Sequence, residues 1–341
     1  MPSVLGTGDI KSVYDWKRPG QKSWRCSWAA QHGQRDLQPS QRTEKAAATM
    51  SVSTSFQKLL TRIEPTSAET IRARGHADII KKRLAASFAL KKFLVGGSFV
   101  RGTFIHKSSD VDLFAVVSRD EARHGGGYIR SSTMLDNIRV ELQARYPTTP
   151  VYKDVHAIVV NYSTDGCNVD VVPAVFAGWG EYKQPIYWMP DGAGGWMNTS
   201  PEAHNAFLKK ANERSGGKLK RTAQLLKFWR ECRSPKVPIS SFHMEMLLAE
   251  HRICDGVKSY ARRLTEAFQL LAERQCRDFQ DPLGIAGYVG ACRSSSQRES
   301  ALRSVIYSRD HAKEALRAEE AGYTAEAKRQ WGIVFNGCFP A

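Results

Sequence analysis

Residues 96–103 read Gly-Gly-Ser-Phe-Val-Arg-Gly-Thr and are followed, at 109–114, by Ser-Asp-Val-Asp-Leu-Phe. A Gly-Gly-Ser turn offers backbone N–H groups and a hydroxyl to a phosphate, here from Gly97 and Ser98. Asp110 and Asp112 alternate with apolar residues as in a β-strand, so both carboxylates leave the same face. Carboxylate oxygens are the ligands that magnesium prefers. Together the two motifs predict a site for a phosphate and its metal.

A third aspartate lies in residues 168–174, which read Asn-Val-Asp-Val-Val-Pro-Ala. It is Asp170, and the separation from Asp112, 170 − 112 = 58 residues, leaves room for a helix and one more strand. Three aspartates at one rim would form a two-metal site, in which one ion activates an attacking hydroxyl and the other holds a triphosphate. Each motif alone is typical of a solvated strand end or an ordinary turn, but their combination favours a catalytic site.

The composition is that of a soluble globular protein of about two domains, with 341 residues, 42% hydrophobic and 25% charged. A formal net charge of +16 indicates a polyanionic partner, which could be a nucleotide, a phosphate or a nucleic acid. No apolar run reaches the length of a membrane span. Seven cysteines without a CxxC pair favour a reduced, cytoplasmic setting.

Residues 1–49 lack a sustained apolar period, so we expect a flexible extension, or a mis-assigned start with Met50 as the natural first residue. Thr66 and Glu69 then form a capping box, and apolar spacing predicts one long helix that continues to Phe93. Further on, the pattern predicts a helix over 131–145, strands over 155–162 and 168–175, and a Pro/Gly-rich connection over 188–195.

Beyond that connection the sequence is mainly helical. Ser200 is the expected N-cap and Pro201 the first helical residue. Helices are predicted over 202–214, 218–233, 242–254 and 257–274. The predicted fold is therefore α+β: a catalytic lobe over 50–195 with a mixed sheet and a long N-terminal helix, a helical lobe over 196–341, and an active site in the cleft between them.

The helical lobe supplies two further candidates for phosphate binding. In the helix over 218–233, Lys220, Gln224 and Lys227 form a polar stripe, which is either a solvated face or a way for Lys227 to reach a triphosphate. Ser241 opens the following helix, where a hydroxyl can cap the helix and also bind phosphate.

These motifs, together with TSPEAHNAF, GGKLKRTAQLLKFWR, ISSFHMEML and Gln280-Asp281-Pro282, give the chain a specific resemblance. From about Met50 to Arg293 it resembles the bacterial cyclic-oligonucleotide synthases of the cyclic GMP-AMP synthase/DncV-like nucleotidyltransferase (CD-NTase) family, within the polymerase beta-type superfamily. The resemblance implies that Asp110, Asp112 and Asp170 bind two Mg²⁺ or Mn²⁺ ions. It likewise implies that Gly97, Ser98, Lys227 and Ser241 bind the nucleotide.

The same resemblance implies an enzyme that condenses nucleoside triphosphates into a cyclic second messenger for CBASS anti-phage signalling. Its expected partners are the nucleotides, an effector protein encoded nearby, and a regulatory protein or nucleic-acid activator, with no membrane. A linear oligonucleotide synthase, a terminal transferase acting on tRNA or a small molecule, and a catalytically decayed RNA-binding protein are the alternatives. Kinase chemistry of the P-loop type is disfavoured because no G-x-x-x-x-G-K-[ST] occurs in the sequence.

Overall fold

The computed structural model describes residues 50–108, 110–162 and 167–340. The prediction of an extension over residues 1–49 lies outside these ranges. Within them the helices are α1 (Val52–Ile63), α2 (Ser67–Ser87), α3 (Gly97–Arg101), α4 (Ser131–Arg145), α5 (Pro201–Arg214), α6 (Lys218–Glu231), α7 (Ser241–Glu250), α8 (Tyr260–Glu273), α9 (Ser295–Glu320) and α10 (Thr324–Val334). The strands are β1 (Leu90–Val95), β2 (Val111–Val117), β3 (Arg123–His124), β4 (Gly127–Tyr128), β5 (Val151–Asp154), β6 (Ala157–Tyr162), β7 (Cys167–Trp179), β8 (Pro185–Pro190), β9 (Trp196–Thr199), β10 (Phe279–Gln280) and β11 (Tyr288–Val289).

The main sheet of the described chain is mixed and has seven strands. Its central order is β1-β2-β7-β6-β5, and the second half of the long strand β7 pairs with β8, which pairs with β9. Only β2 and β7 run parallel, and the other pairs are antiparallel. The predicted α+β fold, a mixed sheet with flanking helices followed by helices, is confirmed.

Two large apolar cores hold the molecule together. One lies between the sheet and the helices α2 and α4. The other belongs to the helical part and also contains the apolar face of α1, whose Phe56 ring packs edge-on against Trp331 and Phe339. In the described part of the chain, the first helix therefore packs with the last ones. The division into lobes at residues 195 and 196 stays a prediction.

The predicted long helix from Thr66 to Phe93 is wrong in its second part. Its start is confirmed, since Thr66 and Glu69 form the expected capping box. The helix ends at Ser87, and the chain turns into β1, which pairs antiparallel with β2. A bulge between Leu90 and Lys92 disturbs the alternation of this strand, so its apolar spacing resembles that of a helix.

Other boundaries also differ from the prediction. The helix over 131–145 and the Ser200 cap with Pro201 at the first position are confirmed. The strand expected over 155–162 is confirmed as β6, which begins two residues later at Ala157, whereas its antiparallel partner β5 lies before the predicted range. Strand β7 extends past the predicted end at 175 to Trp179. The connection predicted over 188–195 begins inside β8. The helices predicted over 218–233, 242–254 and 257–274 are each shorter, because turns occupy their ends.

Candidate active site

The two strand aspartates lie side by side. In the parallel pairing of β2 with β7, Asp112 is the direct partner of Asp170, and both side chains are half-buried. Asp110 immediately precedes β2 and is exposed. The register therefore brings together two of the three predicted carboxylates at the rim of the sheet, with the third at the entrance of the same strand.

The carboxylates disfavour one another's ionised form. Burial is the main cause that raises the pKa of Asp112 to about 6, opposed by the positive charge of Arg101 and reinforced by Asp110. Burial, then the charges of Asp110 and Asp112, raise the pKa of Asp170 well above its ordinary value. Such a group of acids is stabilised in its ionised form by a bound cation.

The Gly-Gly-Ser turn lies directly against these carboxylates. The backbone N–H of Gly96 donates to the carbonyl oxygen of Asp112 at 2.8 Å. Gly97 has φ +64°, and a Cβ there would lie 1.5 Å from Oδ2 of Asp112, so only glycine fits. The next residue, Ser98, is buried at the start of the short helix α3. The predicted phosphate turn and the predicted metal ligands are thus in contact.

Lys227 reaches the turn from the helical part of the molecule. Its Nζ donates to Oγ of Ser98 at 3.1 Å, and the residue is 7% exposed. Burial and the charge of Arg230 lower the pKa of Lys227 to about 8, while Asp110 raises it. Gln224, on the same helix, donates to the carbonyl oxygens of Gly102 and Phe104. A solvated face is therefore wrong for Gln224 and Lys227.

Ser241 is the first residue of α7 and is not its cap. The N-cap is Ser240, whose Oγ accepts from the backbone N–H of His243 at 3.3 Å. The prediction that Ser241 caps this helix is therefore wrong by one residue. Oγ of Ser241 instead accepts from Arg230 at 2.9 Å. Its predicted nucleotide-binding role remains a prediction.

Sequence reasoning missed a cationic group beside these residues. Arg230 and Lys236 both pair with Glu231, at 2.6 Å in each case. Burial, then the charge of Arg230, lower the pKa of Lys236, while Glu231 and Asp110 raise it. The sequence contains a signal for this cationic group: Arg230 follows Lys227 by three residues in the predicted helix, so the two side chains lie near each other on the same helix face. The carboxylates thus face a group of positive charges.

The residues present fit a divalent metal by the chemistry of their donor atoms. Asp112 and Asp170 offer hard carboxylate oxygens on adjacent strands, with Asp110 beside them, and this ligand type suits Mg²⁺ or Mn²⁺. In the ranges that the structure describes, no three His, Cys, Asp or Glu side chains are gathered closely enough to enclose an ion.

Comparison with known proteins agrees with this geometry. Residues 50–212 match the family model of the Second Messenger Oligonucleotide or Dinucleotide Synthetase (SMODS) domain. Over this range the chain is therefore similar to SMODS domains. The match includes Gly97, Ser98 and the three aspartates, whereas Lys227 and Ser241 lie beyond it.

The chain is similar to two curated relatives. A protein named as a probable cyclic nucleotide synthase of Bacillus cereus (strain VD146) is 25% identical, over 74% of this chain and 84% of that protein. A cyclic AMP-AMP-AMP synthase of Escherichia coli (strain MS 115-1) is 24% identical, over 56% of this chain and 60% of that protein. The chain thus spans about three fifths of the second relative, and the resemblance to CD-NTases is confirmed.

Solved structures confirm the fold. E. coli MS115-1 CdnC with ATP superposes with a TM-score of 0.66 at 18% identity, covering 85% of this chain and 99% of that one. The same protein in complex with HORMA-deltaN gives a TM-score of 0.64 at 18% identity, covering 85% and 98%. None of the helices in the described part of the chain has the length and apolarity that a membrane span requires.

Proposed function

We propose that this protein is a nucleotidyltransferase that condenses nucleoside triphosphates into a cyclic di- or oligonucleotide and releases pyrophosphate. The observation that carries the proposal is the pairing of Asp112 with Asp170 on adjacent parallel strands, directly against the turn of Gly97 and Ser98. Lys227 on α6 contacts that turn through Ser98, so a buried ammonium group lies beside the turn that the carboxylate of Asp112 also approaches.

Different residues of the chain bind the triphosphate and accept the proton of the attacking hydroxyl. Ser98 and Lys227, which are in contact with each other, bind the triphosphate by charge-assisted hydrogen bonds, together with Ser241, whose hydroxyl accepts from Arg230. The attacking ribose oxygen forms a bond to the α-phosphorus, and the bond from that phosphorus to the bridging oxygen of the pyrophosphate breaks. Asp170 accepts the proton of the ribose hydroxyl at its carboxylate, which lies beside that of Asp112 on the adjacent strand.

Asp110, Asp112 and Asp170 would hold two Mg²⁺ or Mn²⁺ ions. When bound, such ions lower the pKa of the attacking hydroxyl and neutralise charge on the phosphates and the leaving group. Gly97 keeps the carboxylate of Asp112 close to the turn, so that ligands and phosphate site share one position. The carboxylate donor set suits such ions, whose positive charge would offset the mutual repulsion of the acids.

The class of product and the setting are proposed from the relatives. Relatives named as cyclic AMP-AMP-AMP synthases suggest a cyclic oligonucleotide as the product and ATP among the substrates. A second messenger of this kind acts on an effector protein, as in CBASS anti-phage defence in the cytoplasm. The complex of CdnC with HORMA-deltaN suggests a regulatory protein of that type as a further partner.

The test is to incubate the protein with all four labelled nucleoside triphosphates and Mg²⁺ or Mn²⁺, then with phosphatase, and to identify the surviving products by mass spectrometry. We expect a cyclic product that resists phosphatase, together with stoichiometric pyrophosphate. Linear chains alone would indicate an oligonucleotide synthase. Transfer of label to tRNA or to a small molecule supplied as the acceptor would indicate a terminal transferase. Nucleotide or RNA binding without turnover would indicate a decayed enzyme. Each of these results contradicts the proposal.

A further inference from the structure

A buried ion pair connects the phosphate turn to α7. Arg101, the last residue of α3, donates from Nε to Oε2 of Glu245 at 2.6 Å, and the two side chains are 10% and 3% exposed. The other carboxylate oxygen, Oε1, accepts from Oγ1 of Thr103 at 2.8 Å. Glu245 thus uses both oxygens on the segment that leaves the turn.

The guanidinium of Arg101 is held on two further sides by the helical part. One of its amino groups donates to Oδ1 of Asn205 on α5 at 3.2 Å. Its Cζ lies over the ring of Phe242, the neighbour of Ser241, at 5.4 Å from the ring centre. Asn205 belongs to α5, and Phe242 and Glu245 belong to α7, so these contacts fix the end of α3 relative to those helices.

The stability of the fold does not by itself explain why a buried ion pair lies between Arg101 and Glu245. Desolvating two charges costs free energy that their attraction repays only with good geometry, and apolar residues of similar volume often serve as well. The pair does fix an orientation, because the hydrogen bonds from Arg101 and Thr103 to one carboxylate hold the end of α3 in one position relative to α7. Ser98 lies only three residues before Arg101 in the same short helix, so it is fixed with it.

We propose that Glu245 is a positioning residue for triphosphate binding. It holds α3 where the hydroxyl of Ser98 and the Nζ of Lys227 face the same phosphate chain, and it does not itself touch the substrate. The inference rests on the proposed function, since it assigns the triphosphate to Ser98 and Lys227. It adds a residue outside the 50–212 domain match whose effect passes through the turn.

The test is Glu245→Gln, with the affinities for a nonhydrolysable ATP analogue and for adenosine measured on the same protein. The substitution removes a negative charge, so electrostatics alone would tighten binding of the triphosphate. Lost positioning predicts the opposite, a weakening of about 10-fold to 100-fold, with adenosine changed less than about twofold. The matched control is Glu202→Gln, which removes the ion pair of β1 with α5 through Lys92, away from the turn. We expect wild-type affinity there.

A second variant decides the matter if Glu245→Gln does not fold. Thr103→Val removes one donor to Glu245 and keeps every charge, and we expect it to fold and weaken binding of the analogue about three- to tenfold. Wild-type affinity for the analogue in folded Glu245→Gln, or in Thr103→Val, overturns the inference. A wild-type protein that binds the analogue but yields no product contradicts the proposed function alone. A wild-type protein that does not bind it overturns both.

Discussion

At the residue scale, the site depends on a glycine, because residue 97 has no side chain. Oδ2 of Asp112 occupies the space where a Cβ of Gly97 would be, at 1.5 Å from its ideal position. The left-handed backbone of Gly97 makes this close approach possible. The metal ligand and the phosphate turn are therefore coupled sterically as well as electrostatically.

Gly97→Ala is expected to remove most turnover, by about 100-fold or more, because the new methyl group must displace the Asp112 carboxylate. The control is Gly125→Ala, since Gly125 has nearly the same backbone angle, φ +60°, and its added methyl group would have no atom within 4 Å. Both variants should lose about 1–2 kcal/mol of stability from backbone strain. Steady-state turnover and urea unfolding measure the two effects, and equal activity in both variants would contradict the coupling.

Lys227→Ala is expected to weaken ATP binding by roughly 1.5–3 kcal/mol and adenosine binding much less, because the proposed function places its buried ammonium against the phosphates. Lys220→Ala on the same helix is the control, and it should leave both affinities unchanged. Calorimetry with ATP and with adenosine gives the comparison. Equal losses for the two ligands would show that Lys227 supports the fold and does not bind the triphosphate.

A buried acid in the helical part should govern stability in acid. Burial raises the pKa of Asp281, but hydrogen bonds from His204 and from backbone N–H groups outweigh this and bring it to about 2. A folded pKa below the unfolded value of about 3.9 means that the stabilisation is present above pH 4 and is lost as pH falls toward 2. Its size is roughly 2 kcal/mol.

Asp281→Asn should therefore unfold more easily than the wild type at pH 7, and the difference should shrink as pH falls from 4 to 2. Urea unfolding at pH 7, 4 and 2.5 measures this. A constant difference at all three values would mean that the carboxylate charge of Asp281 does not contribute.

At the element scale, two adjacent serines at the start of α7 have different roles. Ser240 caps the helix, whereas the hydroxyl of Ser241 accepts from Arg230. Ser240→Ala should cost about 1 kcal/mol of stability with ATP affinity retained. Ser241→Ala should cost less stability but weaken ATP binding. Thermal unfolding and ATP titration of both variants test this, and the reverse pattern would restore Ser241 as the cap.

The prediction of elements succeeded where one physical signal dominated. The Thr66 box, the Ser200 cap and the helix Ser131–Arg145 follow from local chemistry that the sequence shows directly. The sequence of β1 resembles a helix because a bulge breaks the alternation of apolar and polar residues, and because the edge position of the strand leaves Lys91 and Lys92 exposed. The short strand β5 has only four residues, too few for a periodic signal.

At the scale of the whole molecule, the aspartates and the turn were predictable because sequence spacing and strand alternation place them on one rim. The contacts between segments that are distant in the sequence were not predictable in this way. Glu245 is 144 residues from Arg101, and α1 packs with α10 at the far end of the chain. Such contacts depend on tertiary packing, which periodicity within a single element does not encode.

The measurement that tests the central claim is product formation by the wild type and by Asp112→Asn/Asp170→Asn under identical conditions. Nucleoside triphosphates, Mg²⁺ or Mn²⁺ and phosphatase treatment are used, with circular dichroism to verify that both proteins fold. The account predicts a phosphatase-resistant cyclic product from the wild type and a loss on the order of a thousandfold in the folded variant. Product at a near wild-type rate from the folded variant would contradict it.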